Sequence, residues 1–348
     1  MQETEHLAQY RMIIVSIFVI LFTINIKSQI YPDAKVDSLV RMGIDNLLIQ
    51  RYDAAKQAFK ELDNKYPKLP LGKTYLVAVE IAEAYDFQDR YNAHYIEANL
   101  DTAETLAKNL LDEDDENIWN RYFMALQQGY YSYFQALEKN WLSAFSNGLN
   151  SVENFEKCLK INPNFYDSYT AIGAFKYWRS RKTEFLKWLP FLKDERESGI
   201  KNLKIAIEHE TYSNYLAVNS LLWIYIDQKK DKDAIELAEK VLSKYPGSRF
   251  FMWPLARAYE EVDHIKSIEI YYKILSSYTY LKNNNRYNEI LLKHIIAQQY
   301  IKMGNNNEKV LQLCNEILNT QGLSDYVKDK LEDRLERVKE LKKELSTK

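Results

Sequence analysis

From Leu39 onward the chain repeats one arrangement of small, aromatic and proline residues at an interval of about 34 residues. An interval of that length leaves few folds open, because it is the length of one helical hairpin. The clearest unit is Leu39, Met42-Gly43, Ala55, Phe59 and Pro67, at steps of 3, 1, 12, 4 and 8. Gly43 and Ala55 are small enough to let two helices of a hairpin approach closely. Phe59 fills the gap between neighbouring hairpins. Pro67 follows the second helix, where its missing N–H does no harm. Val218, Leu221, Tyr225, Ala234, Ala238, Val241 and Pro246 keep the same steps, with Leu222 where a small residue is usual. Leu255-Ala256, Tyr259, Ser267 and Tyr271 form another unit, and Ile296-Ala297, Tyr300, Val310 and Cys314 a further one. Ser151, Phe155, Cys158 and Pro163 match the second half of a unit.

Three units are irregular. Ile81-Ala82 and Tyr85 begin one that resumes at Ala103 and Ala107, with nine extra residues between, placed near 86–94. Residues 117–141 form a long, aromatic-rich first helix. Tyr169 and Ile172-Gly173 pair with Gly199, Leu203 and Ala206 across about fourteen extra residues, with the insertion at 180–195. The prediction is an all-α chain of about seven hairpins over residues 35–321. Composition agrees. Only 16 of 348 residues are glycine or proline, about 5 % where an average chain carries roughly 12 %. That excludes a many-stranded sandwich or barrel and leaves little for glycine-rich phosphate loops. A net charge of −2 gives no electrostatic reason to expect nucleic acid.

The spacing resembles the tetratricopeptide pattern, W-x2-L-G-x2-Y, then A-x3-F, then P, with Leu39 in the tryptophan place. The resemblance implies a right-handed α-α superhelix whose concave groove is lined by the first helix of each hairpin and binds protein partners. Carried over by position, the groove residues are Tyr177 and Trp178, Asn219 and Trp223, Trp253 and Arg257, and His294 and Gln298. The family's best-known peptide site clamps a carboxylate with lysines and asparagines; only Asn219 matches it here, which does not support that chaperone-tail role. An aromatic groove of this kind is also compatible with a glycan or a lipid. The alternative for the tryptophans is packing between helices.

No motif points to catalysis. No two of the five histidines stand at metal-ligand spacing, no Cys pair reads C-x-x-C, and no G-x-S-x-G occurs. The expectation is a non-enzyme with no cofactor and no metal site.

The 180–195 insertion, SRKTEFLKWLPFLKDE, mixes cations with Trp188, Pro190 and Phe191. So many large apolar groups fit either folding back over the groove or contact with a partner or membrane. Gly173, Tyr177-Trp178, Leu189-Pro190, Asp194, Arg196 and Gly199 resemble the central signature of the inclusion-body-clearance family. Those are eukaryotic tetratricopeptide proteins tied to outer mitochondrial membranes and lipid handling, with no established enzymatic activity.

The two ends differ from the array. Twelve of the fifteen residues at 12–26 are apolar. That is short for a membrane span of about 20 and fits the core of a signal peptide, with residues 1–28 removed near Ser28. An uncleaved inner-membrane anchor is the alternative. Export places the array, residues 29–321, in the periplasm or at an outer membrane. Export also permits disulfides, but Cys158 and Cys314 sit about four repeats apart, so both are expected as buried free thiols. Residues 322–348 form a charged final helix with Val327, Leu331, Leu335, Val338, Leu341 and Leu345 in one stripe and Ser324 as N-cap. That helix reads as a cap on the array or as a coiled-coil contact, so the chain is expected as a monomer or a weak dimer through it.

Overall fold

The computed structural model describes residues 29–184, 193–279, 281, 284–304 and 306–346. The apolar run at 12–26, and with it Trp188, Pro190 and Phe191, lies outside the described residues. Fifteen α-helices occur among the described residues, and no strand. In chain order they are α1 (Ala34–Leu48), α2 (Tyr52–Lys65), α3 (Leu71–Phe87), α4 (Ala93–Glu113), α5 (Ile118–Leu137), α6 (Trp141–Ile161), α7 (Asp167–Lys182), α8 (Arg196–Ile207), α9 (Asn214–Asp227), α10 (Asp231–Lys244), α11 (Arg249–Tyr259), α12 (His264–Thr279), α13 (Tyr287–Lys302), α14 (Asn307–Leu318) and α15 (Asp325–Ser346). Odd–even pairs make seven hairpins, and each helix packs chiefly on the next. Odd helices also touch odd neighbours, α3 with α5, α7 with α9 and α9 with α11, which is how stacked hairpins form a superhelix.

The spacing rule finds its physical basis at the glycines. A Cβ on Gly43 would lie 2.3 Å from the Phe59 ring, and one on Gly173 would lie 2.8 Å from the backbone oxygen of Gly199. Ala55, Phe59, Leu62, Ala234 and Ala238 are all buried, as are Phe155 and Tyr271. Cys158 and Cys314 are both buried and unpaired.

Several expectations are corrected in detail. The extra residues near 86–94 are taken up mostly by longer helices, with α4 running for 21 residues and only 88–92 forming the turn. Trp141 opens α6 instead of closing α5, because the chain turns at Lys139, whose φ is 61°. Tyr85, placed by the repeat inside a hairpin, is 68 % exposed. Ser324 does cap α15, accepting from Val327 N at 3.3 Å. In α15, Val327, Leu331 and Val338 are fully buried against the array. The rest of the stripe, Leu335, Leu341 and Leu345, packs partly against the same core, so the weak dimer expected through α15 loses its apolar seam.

The array does not behave as an open row. One apolar cluster holds buried residues from Val36 to Val338. Tyr75 of α3, Tyr122 and Tyr130 of α5 and Tyr215 of α9 meet inside it. Burial drives the hydroxyls of Tyr75, Tyr122 and Tyr215 well above their ordinary pKa, and pushes Tyr130 up to about 12. They are neutral phenols filling space between odd helices.

Candidate functional site

Successive helices alternate in direction, so the array from the third to the seventh hairpin has two edges. One carries the linkers between hairpins and the starts of odd helices. The other carries the turns within hairpins. The two are built differently.

The linker edge is occupied by the chain's own beginning. Gln29 donates from Nε2 to Asp167 at 2.9 Å, and its Oε1 accepts from Asp167 N at 3.1 Å. Tyr31 N donates to the Tyr212 hydroxyl at 2.9 Å, and that hydroxyl donates to Asp37. The Tyr31 ring meets Trp119 edge-on at 5.1 Å. Further along α1, Tyr245 donates to Asp45 at 3.0 Å and Ser248 to the Leu48 carbonyl at 2.6 Å.

A buried cluster of contacts lies at the end of α3. Asp86 accepts from Tyr52 at 2.8 Å, Tyr278 at 2.7 Å and Arg249 Nε at 3.0 Å. Its carbonyl accepts from Asn288 at 2.7 Å. The Arg249 and Asp86 side chains are only 8 % and 11 % exposed, and the guanidinium lies 4.5 Å above the Tyr278 ring. Burial works against the charge on Arg249, and the Asp86 carboxylate more than offsets it, holding the guanidinium pKa above its usual value. Asp167 is also buried, and burial raises its pKa; it accepts from Ser213 N at 2.8 Å and Tyr212 N at 3.2 Å, which anchors the start of α9.

Among the described residues the turn edge is open. Trp141, Leu142 and Phe145 at the third hairpin, Val262 and Ile265 at the sixth, and Ile301 at the seventh are all exposed. Between them, at the fourth and fifth hairpins, Trp178, Arg181, Lys182, Glu184 and Asp227 line an open cleft of about 560 Å³. Arg181 Nε donates to Asp227 at 2.9 Å and its Nη1 to Glu184 at 3.0 Å. Tyr177 donates to Asp227 at 2.7 Å. Partial burial pushes the Asp227 pKa up, but the Tyr177 and Arg181 hydrogen bonds bring it below the usual carboxylate value. The result is a balanced set of two cations and two anions beside the half-buried Trp178.

The eight residues read from the repeat do not share one groove. Tyr177 is 1 % exposed and packs in a core cluster, with burial and then Asp227 raising its pKa to about 12. His294 is 3 % exposed and accepts from Arg334 of α15 at 2.8 Å. Burial and then the Arg334 and Arg337 charges lower its pKa to about 4, so it is a neutral core residue. Trp253 is half-buried, 5.9 Å from the Tyr271 ring. Arg257 is exposed and paired with Glu260, and Gln298 is exposed. Asn219 is half-buried, with its Oδ1 lacking a donor among the described residues. Trp178 lines the cleft, and Trp223, 38 % exposed, lies one turn before Asp227 on α9. Sequence reasoning missed Arg181, Glu184 and Asp227 as a unit, because Arg181 and Asp227 are 46 residues apart. Among the described residues no cluster of His, Cys, Asp or Glu fits a metal ion, and no helix is long and apolar enough to cross a membrane.

The model of the tetratricopeptide repeat matches residues 37–68 and 223–248. The chain thus carries tetratricopeptide repeats, and the remaining hairpins continue the same helical stacking. No curated protein matches the sequence significantly. Among solved structures, the chain is similar to PilW, a widely conserved type IV pilus biogenesis factor, at 18 % identity and a TM-score of 0.46, covering 74 % of this chain and 96 % of that one. It is also similar to the C-terminal part of a repeat-containing protein from Cytophaga hutchinsonii, at 15 % identity and a TM-score of 0.40, covering 83 % and 98 %.

Proposed function

We propose that this tetratricopeptide-repeat chain is an exported, non-catalytic scaffold of the cell envelope that holds a protein partner on its turn edge. The observation that carries this is the contrast between edges. The linker edge is filled by residues 29–88, whereas the turn edge presents Trp178, Trp223 and a charged cleft to solvent. Aromatic and arginine groups at a concave surface are typical anchors of recognition. The balanced charge of the cleft fits a partner segment that is neither strongly acidic nor strongly basic. The apolar run at 12–26 supports export, with the array beginning near Gln29 and ending near residue 321, followed by the α15 cap. The test is affinity capture from envelope extract with wild-type and Trp178→Ala/Trp223→Ala baits. A partner retained by the wild type and lost with the double variant is expected. Equal retention by both baits removes the cleft from the reading, and mass spectrometry showing residues 1–28 still attached removes cleavage.

A second reading rests on the cleft itself. The half-buried Trp178 beside an arginine and two carboxylates is a surface on which a neutral sugar ring can stack and hydrogen-bond. Titrating neutral oligosaccharides while following tryptophan fluorescence decides it. A response that vanishes in Trp178→Ala supports glycan capture, and no response across the panel ends it.

A further inference from the structure

Where α15 packs on α13, cations gather without anions. Lys330, Arg334 and Arg337 follow one another at steps of four and three, so they share one stripe of α15, next to its buried face. Arg334 reaches across to α13, where its Nη1 donates to His294 Nδ1 at 2.8 Å. The Lys330 ammonium lies 5.2 Å from the Tyr287 ring of α13 and 5.2 Å from the Tyr326 ring of its own helix. Arg90, in the turn between α3 and α4, covers the Tyr326 ring at 4.7 Å. The Arg337 charge acts on both Arg334 and His294. The charged heads of these four residues make no ion pair among the described residues; Lys330 donates instead to the Gln88 carbonyl at 3.1 Å. Asp333, one turn beyond Lys330, is exposed and pairs with none of them, and Glu336 is taken up by Lys339 at 2.6 Å.

Arg334 is the informative member. It is half-buried, and burial lowers its pKa; Tyr287 works against that, and Arg337 lowers it further. A guanidinium so placed ordinarily comes with a carboxylate, as Arg249 does with Asp86, because a lone charge is costly to bury. Here His294 fixes one corner of the fork. The other side, Nε and Nη2, makes no bond among the described residues, yet neither atom is sealed from solvent.

We propose that this surface between α13 and α15 is a binding site for a phosphoryl group, held by the forks of Arg334 and Arg337 with Lys330 beside them. Charge decides between the oxyanions. A carboxylate brings one negative charge and leaves the three cations of α15 largely uncompensated. A phosphate monoester brings close to two, with three strong acceptor oxygens, and arginine forks match its geometry. The stripe spans about 10 Å along the helix axis at a rise of about 1.5 Å per residue, so its long side chains can converge near Arg334. A soluble phosphorylated compound and a lipid headgroup share this chemistry. The site shares no residue with the cleft at Trp178 and stands independently of it.

Calorimetric titration of the purified protein with inorganic phosphate tests this, in low salt, where exposed charges are least screened, and at about pH 8, where phosphate is a dianion. Binding with a Kd on the order of 100 μM is expected. Arg334→Gln and Arg337→Gln each weaken it about 10-fold or more, the worth of a hydrogen bond to a charged group. Arg334→Lys keeps the charge without the fork and weakens it as well. Lys229→Gln, at the exposed turn of the fifth hairpin, and Trp178→Ala leave it unchanged. Should Arg334→Gln lose its circular-dichroism spectrum, Arg337→Gln at the exposed position decides alone. Co-sedimentation with phosphatidic acid vesicles, against phosphatidylcholine vesicles, then assigns the source. Capture that inorganic phosphate competes away identifies a headgroup, and phosphate binding without vesicle capture identifies a soluble compound. No binding up to about 10 mM phosphate overturns the proposal. So does acetate bound as tightly as phosphate, and so does binding that survives both arginine substitutions.

Discussion

The two edges of the array use the same residue types for opposite purposes. On the linker edge, tyrosine, aspartate and arginine are buried and pointed at one another. On the turn edge, aspartate and arginine stand in a cleft with tryptophan, above a buried tyrosine. A tyrosine ring supplies apolar area and a hydroxyl at its end, so it can cross from a core to a carboxylate. Tyr52, Tyr278 and Tyr212 do this at the linker edge, and only Tyr177 does so under the cleft. The contrast shows which aromatics hold the molecule together and which remain for another molecule.

The largest test of that contrast is Asp86→Ala. It leaves Arg249 buried without its carboxylate and is expected to cost about 3–5 kcal/mol, read as a lowered urea midpoint. A loss under about 1 kcal/mol, the level of a surface pair, breaks the comparison. Next comes acid sensitivity of the closed interior. His294 titrates near its ordinary value when unfolded and at about 4 when folded, so the unfolded chain binds the proton first as pH falls. Stability present above the unfolded value is lost on going down through about 4, by about 3 kcal/mol in all. Chemical denaturation across that range checks it, and His294→Gln should flatten the profile. Gly173→Ala follows. Its new Cβ meets the backbone of Gly199, which cannot move aside as a side chain can, and about 1–3 kcal/mol is expected in a thermal melt. Smallest is Leu142→Ser on the turn edge, expected within about 0.5 kcal/mol of wild type. A larger loss there means that the turn edge also supports the fold.

The hairpins were legible because their rules are local. Gly43 must be small for the reason visible at Phe59, sixteen residues away in the same unit. The same holds for Gly173 and Gly199. Nothing local announces that Asp86 meets Arg249 and Tyr278, since those partners are 163 and 192 residues distant. The excess of 27 tyrosines was the one compositional trace of that closure. Reading groove residues by repeat position assumed an open concave face. Tyr177 and His294 face packed helices instead, and the positions that reach solvent cluster where turns, not helix faces, set the surface.

The closure at Asp86 also has a consequence for the order of events along the chain. A row of hairpins nucleates anywhere and grows by adding neighbours. Here the first hairpins are synthesised about 160 residues before Arg249 exists. The early segment must stay stable, or stay protected, through the making of nearly half the polypeptide. Contacts of such long separation form late, because the entropy of joining distant segments has to be met before they contribute. The contacts of Asp86 with Arg249 and Tyr278 are therefore expected to form in a final, slow phase, with Asp86→Ala removing that phase from the refolding kinetics.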